Sequence, residues 1–214
     1  MIRAAIFDLD GVIIDTAHYH YIAWKRLASE FAINLTKEHN ELLKGVSRIR
    51  SLEIILELGN IQLSEEDKEL YANKKNGWFV EYIESIRPEE IFSGVPELIQ
   101  SMRDQSLKVA LASSSKNAPR VIELLKIERL FDTMVDGTMI THTKPDPEIF
   151  LLAASRLGFV PSECVVFEDA EAGVEAAVAA GMKCVGVGSP EQLGKANQVI
   201  ARTGDFRISQ LNVL

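Results

Sequence analysis

The chain has only two cysteines among its 214 residues, and their spacing is not that of a metal site. Cys164 and Cys184 lie inside or beside apolar runs, so we expect buried free thiols rather than a disulfide. No apolar run approaches the ~20 residues that a membrane-spanning helix needs. Acidic residues interrupt the N-terminal apolar stretch, which excludes the pattern of a signal peptide. We therefore expect a soluble, cytoplasmic protein with no membrane partner.

Positive charge is also scarce, because 23 Lys and Arg stand against 31 Asp and Glu, for a net charge of −8. Proteins that bind nucleic acid hold its phosphates with clustered Lys and Arg, whereas the basic residues here are dispersed. We expect no nucleic-acid partner. The 47% hydrophobic content and the length suffice for a sizeable core, either in one large domain or in one domain with a smaller insert. The protein is predicted to be a monomer that acts on small molecules.

Four apolar runs predict strands at 4–7, 107–112, 164–167 and 184–187. Because these runs are continuous rather than alternating, they favour a parallel sheet covered on both faces. Helices are predicted over 96–104, 118–126, 145–158 and 170–181. In the third, Asp146 is the expected N-cap and Pro147 the first helical residue, and the fourth is expected to close on Gly181. The fold class is α/β, a doubly wound, Rossmann-like parallel sheet.

Residues 17–87 break this pattern, since they contain no good strand. Apolar residues recur near helical spacing over 18–31, 37–44, 50–59 and 64–86. We predict an α-helical cap domain at 17–87, inserted into a core domain made of 1–16 and 88–214. The two crossings, near Thr16 and Pro88, are candidate hinges.

Polar residues follow the predicted strands, where open α/β sheets bind their ligands. They are Asp8 and Asp10 after the first run, Ser113, Ser114 and Ser115 after the second, and Glu168 and Asp169 after the third, with Lys144 ahead of a helix. Each alone is most often a turn or cap residue. Together, they suit phosphoryl transfer: three carboxylates can hold Mg²⁺, and a hydroxyl and a lysine can neutralise phosphate oxygens. Asp8 can attack phosphorus while Asp10 serves as general acid and base.

Four segments, "FDLDGVIIDT", "ASSS", "KPDP" and "FEDAEAG", resemble in order and spacing the motifs of the haloacid dehalogenase superfamily. The resemblance covers essentially the whole chain and implies that superfamily's core fold. It implies that Asp8 is the nucleophile and Asp10 the acid/base, and that Ser113 and Lys144 bind phosphate. The implied magnesium ligands are Asp8, Asp10 through its carbonyl, Glu168 and Asp169. The second aspartate speaks against carbon–halogen chemistry.

The insert also resembles the sugar-phosphate mutases of that superfamily, through "DTAHYHYIAWKRL", "LLKGVSRIRSLEIIL", "KKN" at 74–76 and "LASSSKNAP". This likeness implies hexose phosphates as substrates. Beyond Ser113 and Lys144, the predicted substrate- and phosphate-binding residues are Thr16, His20, Trp24, Lys44, Gly45, Val46, Ser47, Arg48, Ser51, Lys75, Asn76, Ser114, Ser115, Lys116 and Asn117.

By the same resemblance, His20 and Lys44 help to position Asp10 when the cap closes, and Arg48 clamps the phosphate that is not reacting. A bisphosphate that binds in two orientations needs such a second anion site, and a planar guanidinium suits it. From composition alone Arg48 would be a solvated helix-start residue. Packing within the cap is the preferred interpretation for Trp24, and three adjacent hydroxyls leave open which one binds phosphate.

Three functional hypotheses remain at the level of sequence. The first is a sugar-phosphate mutase, the second a Mg²⁺-dependent hexose-phosphate phosphatase of the same fold, and the third a non-catalytic binding protein for sugar phosphates. The third is disfavoured because Asp8, Asp10, Lys144 and Asp169 are all present together.

Overall fold

A computed structural model describes residues 1–43 and 46–214, so the predicted site residues Lys44 and Gly45 lie outside the described residues. The described part contains one parallel sheet with strand order β3-β2-β1-β4-β5-β6. Its strands are β1 (Ala4–Phe7), β2 (Lys108–Ala112), β3 (Thr133–Val135), β4 (Cys164–Glu168), β5 (Lys183–Val187) and β6 (Gln198–Ile200). This order is that of a doubly wound sheet, and it places β1 between β2 and β4.

The α-helices of the described residues are α1 (Ala17–Glu30), α2 (Lys37–Glu41), α3 (Arg48–Leu58), α4 (Glu65–Ile83), α5 (Val95–Asp104), α6 (Ala118–Leu125), α7 (Glu148–Leu157) and α8 (Glu171–Ala179). The predicted fold class is confirmed. Two strands escaped prediction, β3 and β6, because each has three residues and is mostly half-buried, which leaves no clear apolar run.

The predicted start of α7 is wrong by one residue. Pro147 is the N-cap and the helix begins at Glu148. The Asp146 carboxylate nevertheless accepts a hydrogen bond from the Glu148 N–H at 2.9 Å, so it satisfies an unpaired helix donor from outside the cap position. At the end of α8 the backbone of Gly181 is left-handed, with φ of 73°, as is common just beyond a helix.

Both faces of the sheet are buried. Alternate residues of each strand point to opposite sides, so each strand contributes to two apolar layers. On one face Phe7 of β1 stacks on Phe167 of β4, with ring centroids 4.5 Å apart, and α5 and α6 cover this layer. On the other, Ile6 and Cys184 pack beneath α7 and α8. Both cysteines are buried and free, as expected.

The helices α1 to α4 lie between β1 and α5 in the chain and share an apolar cluster of their own. It contains Trp24 and Leu27 of α1, Leu52 and Ile55 of α3, and Ala72 of α4. Phe79 and Ile83 of α4 pack instead with residues beside the sheet. The division into a core and a cap at 16/17 and 87/88 stays a prediction. No helix in residues 1–43 and 46–214 is long and apolar enough to cross a bilayer.

Candidate active site

Asp8 is placed by the register of the central strand. Phe7 pairs with Leu111 of β2 and with Phe167 of β4, so the residues that follow these three strands meet at one edge. The Asp8 N–H donates to the Phe167 carbonyl at 3.0 Å. The chain then turns, and the Asp10 N–H donates to the Asp8 carboxylate at 3.0 Å. Strand pairing therefore brings both aspartates to the strand ends that the sequence indicated.

Lys144 lies between two carboxylates at this edge. Its Nζ donates to Asp8 Oδ1 at 2.5 Å and to Glu168 Oε2 at 2.7 Å, and the three residues are 2%, 5% and 1% exposed. Burial by itself would lower the Lys144 pKa, but the two carboxylates hold that pKa above its usual value. Lys144 is thus a charged ammonium that compensates buried negative charge.

Removing this ammonium has a predictable cost. In metal-chelated protein, Lys144→Ala should lower the free energy of unfolding by about 3–5 kcal/mol, since Asp8 and Glu168 are left as buried, uncompensated charges. Urea unfolding in the presence of EDTA measures the loss. Lys195→Ala is the control, because its pair with Glu175 is exposed and screened by solvent, so its loss should leave stability nearly unchanged. Equal losses in the two variants would contradict the compensating role of Lys144.

Three carboxylates form a possible cation site. The oxygens of Asp8, Glu168 and Asp169 lie within 4.8 Å of one another. Glu168 is held in place because its Oε1 accepts the Ala170 N–H at 3.1 Å. A donor set made only of oxygen fits a hard divalent cation such as Mg²⁺ rather than a soft metal. The residues present therefore fit a divalent ion.

Asp10 has an unusual protonation state for an aspartate. Burial, followed by the charge of Asp8, raises the pKa of Asp10 from 3.8 to about 8. Burial and the neighbouring negative charge therefore favour the protonated form of this carboxyl group. A protonated carboxyl beside the nucleophile is what a general acid requires.

The insert contributes a close pair of side chains to the site, His20 of α1 and Lys75 of α4. His20 Nδ1 lies 2.7 Å from Lys75 Nζ, although the residues are far apart in the chain. The His20 ring stacks on Phe79 with centroids 3.9 Å apart, and Lys75 Nζ lies 4.4 Å from the Trp24 ring centroid. Burial, followed by nearby positive charge, lowers the pKa of both His20 and Lys75 well below their usual values.

Arg48 supplies the lasting positive charge from the insert, because a guanidinium stays protonated even where its pKa is lowered by burial. It is the first residue of α3, whose N-cap Ser47 accepts the Arg50 N–H at 3.2 Å. The Arg48 guanidinium donates a hydrogen bond to the side-chain oxygen of Asn73 in α4 at 3.3 Å. This contact between α3 and α4 helps to orient the guanidinium.

The loop after β2 is ordered by its own hydroxyls. The buried Ser113 Oγ accepts the Ser115 N–H at 3.1 Å, and Ser115 Oγ accepts the Asn117 N–H at 3.2 Å. Asn117 then donates from its side chain to Asn76 of α4 at 2.8 Å, which joins the loop to the insert. Ser114 Oγ is buried and has no hydrogen-bond partner among the described residues.

A cavity of about 150 Å³ lies between these groups. Its lining includes most of the predicted site residues: Asp8, Asp10, His20, Trp24, Val46, Ser47, Arg48, Ser51, Lys75, Ser114, Ser115, Lys116, Asn117, Lys144, Glu168 and Asp169. Three predicted residues with known positions do not line it. Thr16 is fully buried, and its hydroxyl has no hydrogen-bond partner within residues 1–43 and 46–214. Ser113 is also fully buried, and Asn76 contributes through its hydrogen bond with Asn117.

The sequence did not point to five other lining residues, namely Ala17, Asn40, Leu43, Gly137 and Thr143. Gly137 and Thr143 lie in the connection after β3, and Thr143 directly precedes Lys144. Their position after a strand end would have indicated the site, had that short strand been recognised.

Four carboxyl groups and the Lys144 ammonium line this cavity from the ends of the strands, and Arg48 and Lys75 line it from the insert, an arrangement that suits phosphoryl transfer on a doubly wound core. The family model of the haloacid dehalogenase-like hydrolases matches residues 5–187, and the chain belongs to this family. The resemblance seen in the sequence motifs is thereby confirmed.

Among individual relatives, the β-phosphoglucomutase of Bacillus subtilis is 41% identical over 98% of this chain and 94% of its own. A crystal structure of β-phosphoglucomutase from Clostridium difficile is 43% identical, with a TM-score of 0.95 over 100% of this chain and 96% of that one. A phosphorylated carbohydrates phosphatase of Thermotoga maritima is 36% identical over 85% of this chain and 82% of its own. The chain therefore resembles both mutases and phosphatases of the family.

Proposed function

We propose that the protein is a β-phosphoglucomutase, which interconverts β-D-glucose 1-phosphate and glucose 6-phosphate through an aspartyl phosphate on Asp8 and a glucose 1,6-bisphosphate intermediate. The observation that carries the proposal is that one cavity is lined by anion-binding groups from two parts of the chain, Lys144 from the connection after β3 and Arg48 from α3 of the insert. A bisphosphate has two anionic groups to place, whereas a monophosphate has one. The likeness to two mutases over nearly the full chain supports the same reading.

The reaction follows from the positions of the two aspartates. An Asp8 carboxylate oxygen attacks phosphorus, the bond from phosphorus to the sugar oxygen breaks, and Asp10 gives its proton to that oxygen. In the second half, Asp10 takes the proton of the other sugar hydroxyl, which attacks the phosphoryl group on Asp8 and restores the carboxylate. Lys144 is positioned to neutralise charge on the transferred group.

Asp8, Glu168 and Asp169 would hold Mg²⁺ through their side chains, and Asp10 through its carbonyl. When bound, the ion withdraws charge from the phosphoryl oxygens. The remaining contribution of these residues is to keep the nucleophile and the acid in fixed positions at the end of β1.

We further propose that 17–87 acts as a cap that closes over the core, with hinges near Thr16 and Pro88. The contact between Asn76 and Asn117 lies where closure would bring the insert against the loop after β2. Closure would exclude water from the aspartyl phosphate, which a mutase must protect from hydrolysis. Lys44 and Gly45 keep their proposed roles in this closure and in the sugar pocket.

One incubation tests the proposed activity. The protein is supplied with Mg²⁺, β-glucose 1-phosphate and a trace of glucose 1,6-bisphosphate, and glucose 6-phosphate is followed against free phosphate. Glucose 6-phosphate should accumulate with little free phosphate. Steady release of free phosphate in its place would refute the mutase activity. If neither product formed, the hypothesis of a non-catalytic binding protein would be the one that stands.

The second candidate function is a hexose-phosphate phosphatase, and the 36% identical phosphatase of T. maritima favours it. The two functions differ in what attacks the phosphoryl group on Asp8, a sugar hydroxyl or water. Both therefore share Asp8, Asp10 and the cation site, and the incubation separates them by product.

A further inference from the structure

Two glycines lie against the carboxylates of the cation site. In α8, a Cβ built at Gly173 would come within 3.0 Å of the Cγ, Cδ and Oε2 atoms of Glu168. A Cβ at Gly11 would come equally close to the side chain of Asp169, and there the φ of 76° also favours glycine. Protein Cβ atoms essentially never approach other atoms so closely, so a larger residue at either position must displace its carboxylate.

The Glu168 carboxylate has nowhere equivalent to go. The residue is 1% exposed, and its two oxygens are engaged by the Ala170 N–H and by Lys144. The end of the Glu168 side chain could still rotate away from a new Cβ at moderate cost, because a side chain is more flexible than a backbone. The displaced group would leave the place where its oxygen lies beside those of Asp8 and Asp169.

We propose that Gly173 is a positioning residue for the divalent cation, because the missing side chain leaves the space that the Glu168 carboxylate occupies as a ligand, and that Gly11 does the same for Asp169. Glycine is less favourable than alanine inside a helix, so Gly173 lowers the stability of α8. The space needed by the Glu168 side chain explains why a glycine stands there. The inference rests on the cation site of the proposed function but not on the identity of the sugar.

Gly173→Ala is the cleaner test, because Gly173 lacks the left-handed backbone of Gly11. The probe is Mn²⁺, whose electron paramagnetic resonance signal distinguishes free from bound ion. We expect Mn²⁺ affinity to fall about 10- to 100-fold, as when groups that support metal ligands are altered. Circular dichroism should show unchanged helix content.

Gly77→Ala is the matched control. Gly77 also lies inside a helix, but nothing lies within 4 Å of a Cβ built there. This variant should bind Mn²⁺ like the wild type. A Gly173→Ala protein that binds Mn²⁺ within about twofold of the control would overturn the inference, since perturbing a ligand's support costs more than that.

A double-mutant cycle covers the case in which Gly173→Ala folds poorly. Glu168→Ala removes the side chain that Ala at 173 would strike, so adding Gly173→Ala to it should lower neither the melting temperature nor the residual Mn²⁺ affinity, and the better helix propensity of alanine should raise the melting temperature slightly. A further loss in the double variant would show that Gly173 serves helix packing instead. Wild-type protein that binds Mn²⁺ but yields only free phosphate would refute the mutase and leave this inference standing, whereas no Mn²⁺ binding by the wild type would refute the inference.

Discussion

Asp8→Asn should reduce the conversion of β-glucose 1-phosphate by on the order of 10⁴-fold or more, because the amide cannot attack phosphorus. The side chain keeps its size, and its oxygen can still accept the hydrogen bond from Lys144. The loss should therefore appear in catalysis rather than in folding. Hydrolysis of a small aryl phosphate should fall to the same extent, since both reactions need the same nucleophile.

Two further measurements make this assignment specific. Intact mass after rapid mixing with substrate should show a phosphorylated wild-type protein and no phosphorylated variant. Asp104→Asn is the control, because Asp104 is exposed at the end of α5, where its carboxylate accepts a hydrogen bond from Gln100. Residual turnover within about tenfold of the wild type would remove Asp8 from the nucleophilic role, because a barrier change of about 1.4 kcal/mol is too small for the loss of a covalent step.

The core half of the site could be predicted from the sequence because strand ends follow directly from apolar runs. Once β1, β2 and β4 are placed side by side, Asp8, Ser113 and Glu168 must meet at one edge. The expectation failed where that signal is weak. The short strand β3 has no apolar run, and the cavity residues that follow it, Gly137 and Thr143, escaped with it.

The half of the site that the insert supplies depends on packing between helices, which the sequence does not show. Periodicity predicts α1 and α4 separately, but the 2.7 Å contact between His20 and Lys75 depends on how these two helices pack. On the core side, Lys144 was expected to bind phosphate, and the structure places its ammonium beside the predicted nucleophile, between Asp8 and Glu168. Its ammonium offsets the clustered negative charge, a role that no local pattern indicates.

The crowding of carboxyl groups in a buried site raises both the pKa of Lys144 and the pKa of Asp10. Four carboxyl groups line one small cavity, and a single buried ammonium lies within hydrogen-bonding distance of two of them. Burial and the charge of Asp8 then keep Asp10 protonated, with a pKa of about 8. The nucleophile and the acid are therefore distinguished by their surroundings, although both are aspartates two residues apart.

Arg48→Ala should lower kcat/KM for the mutase reaction by roughly 10²–10³-fold, while hydrolysis of a small aryl phosphate changes little, by about threefold at most. The guanidinium belongs to the first residue of α3 in the insert, whereas the carboxylates follow β1 and β4, so we expect only a substrate with a second phosphate to depend on it. Losing such a contact removes binding energy that the bisphosphate uses and the aryl phosphate never had.

Arg50→Ala is the matched control for Arg48. It lies on the same helix, but its guanidinium pairs with Glu53 and Glu57 on the surface, so its loss should leave both reactions near wild-type rates. Arg48→Lys should recover only part of the mutase rate, because an ammonium cannot form the paired hydrogen bonds of a guanidinium with phosphate. Equal losses of mutase and aryl phosphatase activity in Arg48→Ala would mean that the arginine supports the site as a whole, and the second anion site would have to lie elsewhere in the cavity.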